Sequence, residues 1–67
     1  MFDQQTKQEL QQNWDRVKSQ ITQTFPQVKV QDIEQYRNDP DQVVTTIGQK
    51  TGQPTDQVEQ RIKQLVR

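Results

Sequence analysis

Acidic residues precede basic ones four times along this chain, in step with its apolar positions. Asp3 and Glu9 come before Arg16 and Lys18. Asp32 and Glu34 come before Arg37, and Asp39 and Asp41 before Lys50. Asp56 and Glu59 come before Arg61, Lys63 and Arg67. Acids at a helix start and bases at its end complement the helix dipole, so each cycle predicts one helix. Four helices fill 67 residues, and the expected fold is all-α: one small helical domain over residues 1–67. Helix ends then explain nearly all the charge, and no reactive constellation remains.

The apolar residues place the four helices. Leu10, Trp14, Val17 and Ile21 are spaced 4, 3, 4, one narrow stripe on a helix. Thr6 with Glu9 three residues on makes a capping box, so this helix begins at Thr6 or earlier at Asp3. It should stop by Phe25, because Pro26 disfavours the helical region for the residue before it. A brief second helix is expected over 31–37, with Ile33 and Tyr36 on one face. Val28 and Val30 alternate with polar residues just before it, but a lone strand would have no partner. Asp39 as cap, Pro40 at the first position and Gly52 as a left-handed stop frame the third helix, which buries Val43, Val44 and Ile47. Thr55 should cap the fourth, whose apolar face is Val58, Ile62, Leu65 and Val66.

Order is expected despite a hydrophobic content of only 27%. Disorder pairs few Leu, Ile, Val and Phe with a high net charge. Here the net charge is zero and the apolar residues are periodic. The chain has no Cys and no His, which excludes disulfides and zinc sites built on thiolate or imidazole. No cofactor is expected. A cysteine-free chain suits a reducing cytosol. The start, Met1-Phe2-Asp3-Gln4, shows no secretory signal, and no apolar run approaches the ~20 residues of a membrane span. Neutral charge argues against nucleic acid, which demands a basic excess or stripe.

Each candidate site has a plainer reading beside it. Trp14 could anchor a partner, but its mid-stripe position makes it core. Asn38, Asp39 and Asp41 cluster acceptor oxygens as a calcium loop does, yet the central Gly and closing Glu are missing, and capping explains them. Gly48-Gln49-Lys50-Thr51-Gly52 contains the Lys-Thr of a phosphate loop without the glycine before the Lys, at the end of a helix instead of its start. Catalysis would have to rest on Asp, Glu, Lys, Tyr, Ser19 or Thr, with no carboxylate pair set apart from capping. The chain is therefore read as a non-enzyme.

The order of these features resembles the CsbD-like family of small bacterial stress-response proteins. Asn13-Trp14 followed by Val17-Lys18 is similar to the family's Asn-Trp, apolar, Lys start. Phe25 falls where a second Trp is common. Asp41-Gln42-Val43-Val44 with Ile47 and Gly52 resembles its Asp-Gln-Leu-Val…Ile…Tyr-Gly stretch, and Asp56-Gln57-Val58-Glu59 lies at its acidic helix start. The likeness runs without gaps from about Asn13 to Leu65. There are departures. Ser19, Asn38 and Thr45 replace glycines, and Thr51 replaces the aromatic before Gly52. The resemblance implies a cytoplasmic protein of SAM-like type, two helical hairpins packed across each other, and a link to general stress. It carries no catalytic residue or cofactor. The alternatives are a helical adaptor, docking on an unknown protein or self-associating through the first-helix stripe, and a weak nucleic-acid binder. A monomer is favoured over a homodimer. The core expected from all this is Leu10, Trp14, Val17, Ile21, Phe25, Ile33, Tyr36, Val44, Ile47, Val58, Ile62 and Leu65.

Overall fold

The helix predicted first is two helices. In the computed structural model, which describes residues 2–66, α1 spans Gln4–Gln12 and α2 spans Trp14–Thr24. Asn13 separates them at φ −109° and ψ 26°. Its N–H still donates to Glu9 O at 3.0 Å, and its own carbonyl accepts from the Val17 N–H at 2.9 Å. The Asn13 side chain adds a second bond to Glu9 O, at 3.0 Å, so it closes α1 as well as opening α2. The 4, 3, 4 spacing of the apolar stripe runs through this point, which is why periodicity alone reads it as one element.

The remaining elements are α3 at Val30–Ile33, a 3-10 turn at Glu34–Tyr36, α4 at Pro40–Thr51 and α5 at Thr55–Val66. The chain is 78% helical, with no strand among the described residues. Five α-helices thus stand where four were expected. The expected 31–37 helix is the four residues of α3 continued by the 3-10 turn. So short a segment draws its stability from packing rather than propensity. Ile33 is buried, and the Asp32 carboxylate accepts from the Lys29 N–H at 3.0 Å, half of a capping box.

Helix α4 begins and ends on local chemistry. Asp39 sits at the cap and its Oδ1 accepts from the Gln42 N–H at 3.4 Å, with Pro40 at the first helical position. Gly52 closes it in the left-handed conformation, φ 75° and ψ 9°, donating its N–H to Gly48 O at 2.8 Å. Gly48 is small for a separate reason. A Cβ there would lie 3.2 Å from Gln53 O, where the linker to α5 crosses the last turn of α4.

The other two expected caps are placed differently. Thr6 lies inside α1 and is buried. Asp3 holds the cap position with extended backbone. Phe2, Thr6 and Leu10 follow one another at four-residue spacing, so Thr6 falls on the buried stripe. Thr55 is the first residue of α5 rather than its cap. The Pro54 carbonyl opens that helix, accepting from the Gln57 and Val58 N–H groups at 3.1 and 3.2 Å.

Helix α5 is the element on which the others converge. α1, α2 and α4 all pack against it, while α3 bridges α2 and α4. The buried cluster comprises Phe2, Leu10, Trp14, Val17, Ile21, Phe25, Val28, Ile33, Val43, Val44, Ile47, Val58, Ile62 and Val66. Tyr36 and Leu65, expected inside, are half-buried at its edge. Phe2 was not expected there, and it extends the core past the start of α1.

Charge polarity holds at helix ends only in part. α4 and α5 carry acids in the first turn (Asp41, Asp56) and bases in the last (Lys50, Lys63). α1 and α2 have no base in the last turn. The break at Asn13 puts Arg16 and Lys18 near the start of α2, where they serve contacts between helices instead. Lys18 reaches Glu34 at 3.0 Å, Lys50 reaches Asp32 at 3.6 Å, and Lys7 reaches Asp41 at 3.6 Å. Each joins two elements, and each is worth only about 0–1 kcal/mol at a wet surface.

Candidate functional site

Trp14 and its surroundings form the strongest candidate. Trp14 is the first residue of α2, and 3% of it is exposed. Its indole Nε1 is buried and has no hydrogen-bond partner. An indole N–H is a donor only and usually finds an acceptor when buried. Next to it is an open polar cleft of about 260 Å³, where Asn13, Asp15, Arg16 and Arg37 join Trp14 in the lining.

Arg16 is committed on one side. Its guanidinium donates to Leu65 O at 3.2 Å and Val66 O at 3.3 Å. These carbonyls end α5, where the helix leaves acceptors without partners and the dipole favours a cation. Residue 16 thus caps a helix 50 residues away. Lys18, two residues on, lies between Glu34 at 3.0 Å and Asp15 at 3.3 Å. The Glu34 carboxylate, and then that of Asp15, hold its pKa above the ordinary value of 10.5.

A second groove, about 220 Å³, runs between the starts of α4 and α5. Asp41, Asp56, Glu59, Thr45 and Thr55 give it an acidic, hydroxyl-bearing lining. Asp41 pairs with Lys7 across the groove's edge, and the Thr45 hydroxyl donates to Asp41 O at 3.1 Å. Among the described residues, no group of three acids is arranged to hold a metal. Asn38 and Asp39 are exposed, and the Asp39 carboxylate is turned to the Gln42 amide. Lys50 points to Asp32, and the Thr51 hydroxyl donates to Ile47 O at 2.7 Å. The chain around the Lys-Thr pair is therefore a helix ending, with its polar groups turned to neighbouring protein atoms.

Two groups, Asp3 and Lys18, depart from their ordinary pKa values. The Thr6 hydroxyl beside the Asp3 carboxyl, and then the Thr6 amide, lower its pKa below 3.8. Asp3 and Lys18 both move toward their charged forms. A general acid or base at neutral pH needs the opposite displacement.

Sequence reading placed Trp14 in the core and saw Asp39 and Gly52 as helix ends. It did not see Arg16 as the cap of α5, nor the unpartnered indole. Neither leaves a local signature, because each depends on a neighbour distant in the chain. The expected stripe Leu10, Trp14, Val17 and Ile21 lies wholly inside the domain. No helix among the described residues is long and apolar enough to cross a membrane. A scan against protein-family models and searches of curated proteins and of solved structures give no match to this chain.

Proposed function

We propose that this chain is a small non-enzymatic helical protein of the CsbD-like stress-response type, acting in the bacterial cytoplasm by binding or by abundance. The reading rests on the motifs around Asn13-Trp14, Lys18 and Asp41 to Gly52. One structural observation supports its non-enzymatic half. Among the described residues the buried side chains are apolar apart from Thr6 and the Trp14 N–H, and polar side chains line open surface clefts. Such clefts do not exclude water from a reacting centre. The finer architecture goes with the same proposal: α2 with α3, and α4 with α5, as two hairpins laid across one another. In support, α4 and α5 are joined by three residues and pack on each other, and α3 touches both α2 and α4.

The test is abundance. The protein should rise several-fold in its source cells under osmotic, heat or stationary-phase stress, measured by immunoblot against steady growth. A constant level through all three would remove the stress-response reading. Affinity capture from the stressed cells then separates action by a protein partner from action by mass alone.

A further inference from the structure

The apolar register of α1 and α2 is that of one helix, but the chain breaks it at Asn13. An unbroken helix over 4–24 would be about 31 Å long. The longest dimension of the domain is 27 Å. α1 reaches its seat on α5, and Lys7 reaches Asp41, only because the chain turns at a single residue, Asn13. The turn has a cost in hydrogen bonds. The first amides of α2 and the last carbonyls of α1 lose their intrahelical partners, and only Glu9 O gains an extra bond, from the Asn13 side chain. Gln11, Gln12, Asn13 and Asp15 are exposed, so the outer face of the turn is open, while Leu10 and Trp14 on either side of it are buried.

We propose that Asn13 is the hinge of a reciprocal exchange between two copies of this chain. In each copy α1 and α2 become one helix, and α1 takes the seat on the partner's α5 that it holds on its own in the monomer. Straightening alone would expose Phe2, Thr6 and Leu10 together with their bed on α5. A second α1 is the occupant whose shape and charge fit that bed, because the contacts are those the monomer already makes, including Lys7 with Asp41. Exchange of an identical element is a low-cost route to a dimer, and a short hinge under strain invites it. The pairing is driven by concentration, so the monomer prevails when dilute. The inference does not depend on the stress-response reading: either can fail alone.

The whole chain tests it, as the natural sequence and as Asn13→Ala and Asn13→Gly. Residue 13 is exposed, and circular dichroism checks that each variant folds. Isotopically light and heavy chains are unfolded together, refolded at high concentration and treated with a carbodiimide, which couples close amine–carboxylate pairs. Digestion should yield Lys7–Asp41 peptides that join a light chain to a heavy one in the dimer fraction. Sedimentation should show a dimer dissociation constant on the order of tenfold or more lower for Asn13→Ala than for Asn13→Gly, because two helices are straightened per dimer and Ala is the better helix former. The proposal is overturned if all three chains stay monomeric at millimolar concentration. It is equally overturned if dimers form but every Lys7–Asp41 coupling stays within one label, which would mean side-by-side association.

Discussion

Replacing Trp14 by alanine should bring this domain close to unfolding, whereas phenylalanine should be tolerated. Trp14 is 97% buried by its 3% exposure. Burying a Trp removes about 150–250 Å² from water. At roughly 25 cal/mol per Å² that is about 4–6 kcal/mol, and measured truncations of core Phe or Trp to Ala cost about 3–5 kcal/mol. A chain of this length should have a total stability of about 3–10 kcal/mol. Trp14→Ala therefore removes roughly 30% of the stability or more. Trp14→Phe differs in one respect that the structure exposes. It gives up part of the ring but also deletes an N–H buried without a partner. Leaving such a donor unsatisfied costs about 1–3 kcal/mol, so its removal offsets most of the lost contact, and the net change should stay within about 1 kcal/mol. Urea denaturation followed by far-ultraviolet circular dichroism measures both variants against the parent. A loss below about 1 kcal/mol for Trp14→Ala would mean that the side chain is not core. A Phe variant as damaged as the Ala variant would mean that the indole N–H has an acceptor after all.

Four further outcomes are expected. Asp39→Ala should cost toward the low end of 0.5–2 kcal/mol, since the capping bond is long at 3.4 Å. Asp39→Asn should cost less in thermal melts, and equal damage would defeat the capping account. Gly52→Ala should cost about 1–2 kcal/mol from the left-handed backbone alone, because a Cβ there meets nothing within 4 Å; a neutral melt would contradict this. Arg16→Ala should lose about 1 kcal/mol, and Arg16→Lys should recover only part, since an ammonium does not present the planar fork that reaches Leu65 O and Val66 O together. Asp3 has a depressed pKa in the fold, so its contribution is present above its unfolded value, near 3.8, and is lost as pH falls through the folded one. Asp3→Asn should accordingly flatten the acid limb of stability against pH, and an unchanged limb would show that Thr6 exerts no hold on it.

Legibility followed the range of the signal. Helix α4 could be read nearly to the residue, because Asp39, Pro40 and Gly52 each act within their own turn. The break at Asn13 could not, because one residue outside the helix leaves the spacing of Leu10, Trp14, Val17 and Ile21 intact. Burial of Phe2 was in principle readable from its four-residue spacing to Thr6 and Leu10, but a hydroxyl at the middle position hid the stripe. Thr6 likewise reads as a cap because Ser and Thr favour caps in general, but it lies buried inside α1. Tyr36 and Leu65 show the converse, apolar side chains on the expected face that end half-buried where the helices run out. For the Trp14 region, its place in the core could be read, but not the company it keeps. Arg16 and Arg37 reach the same cleft from different elements, and the partners of Arg16 on α5 come at the far end of the sequence.

The convergence of three helices on α5 has a consequence for how the chain is made. Synthesis runs from α1 toward α5, so α5 leaves the ribosome after the three helices that pack on it. Until it emerges, α1, α2 and α4 lack the surface they pack against, and the apolar faces of Val17, Ile21 and Ile47 are open to solvent or to other nascent chains. Val66 is in the buried cluster, and its carbonyl, with that of Leu65, receives Arg16. The final turn therefore completes the core rather than decorating it. A chain held on the ribosome before α5 emerges would keep its helical segments in sequence order without a common centre, and packing of the core waits for that helix.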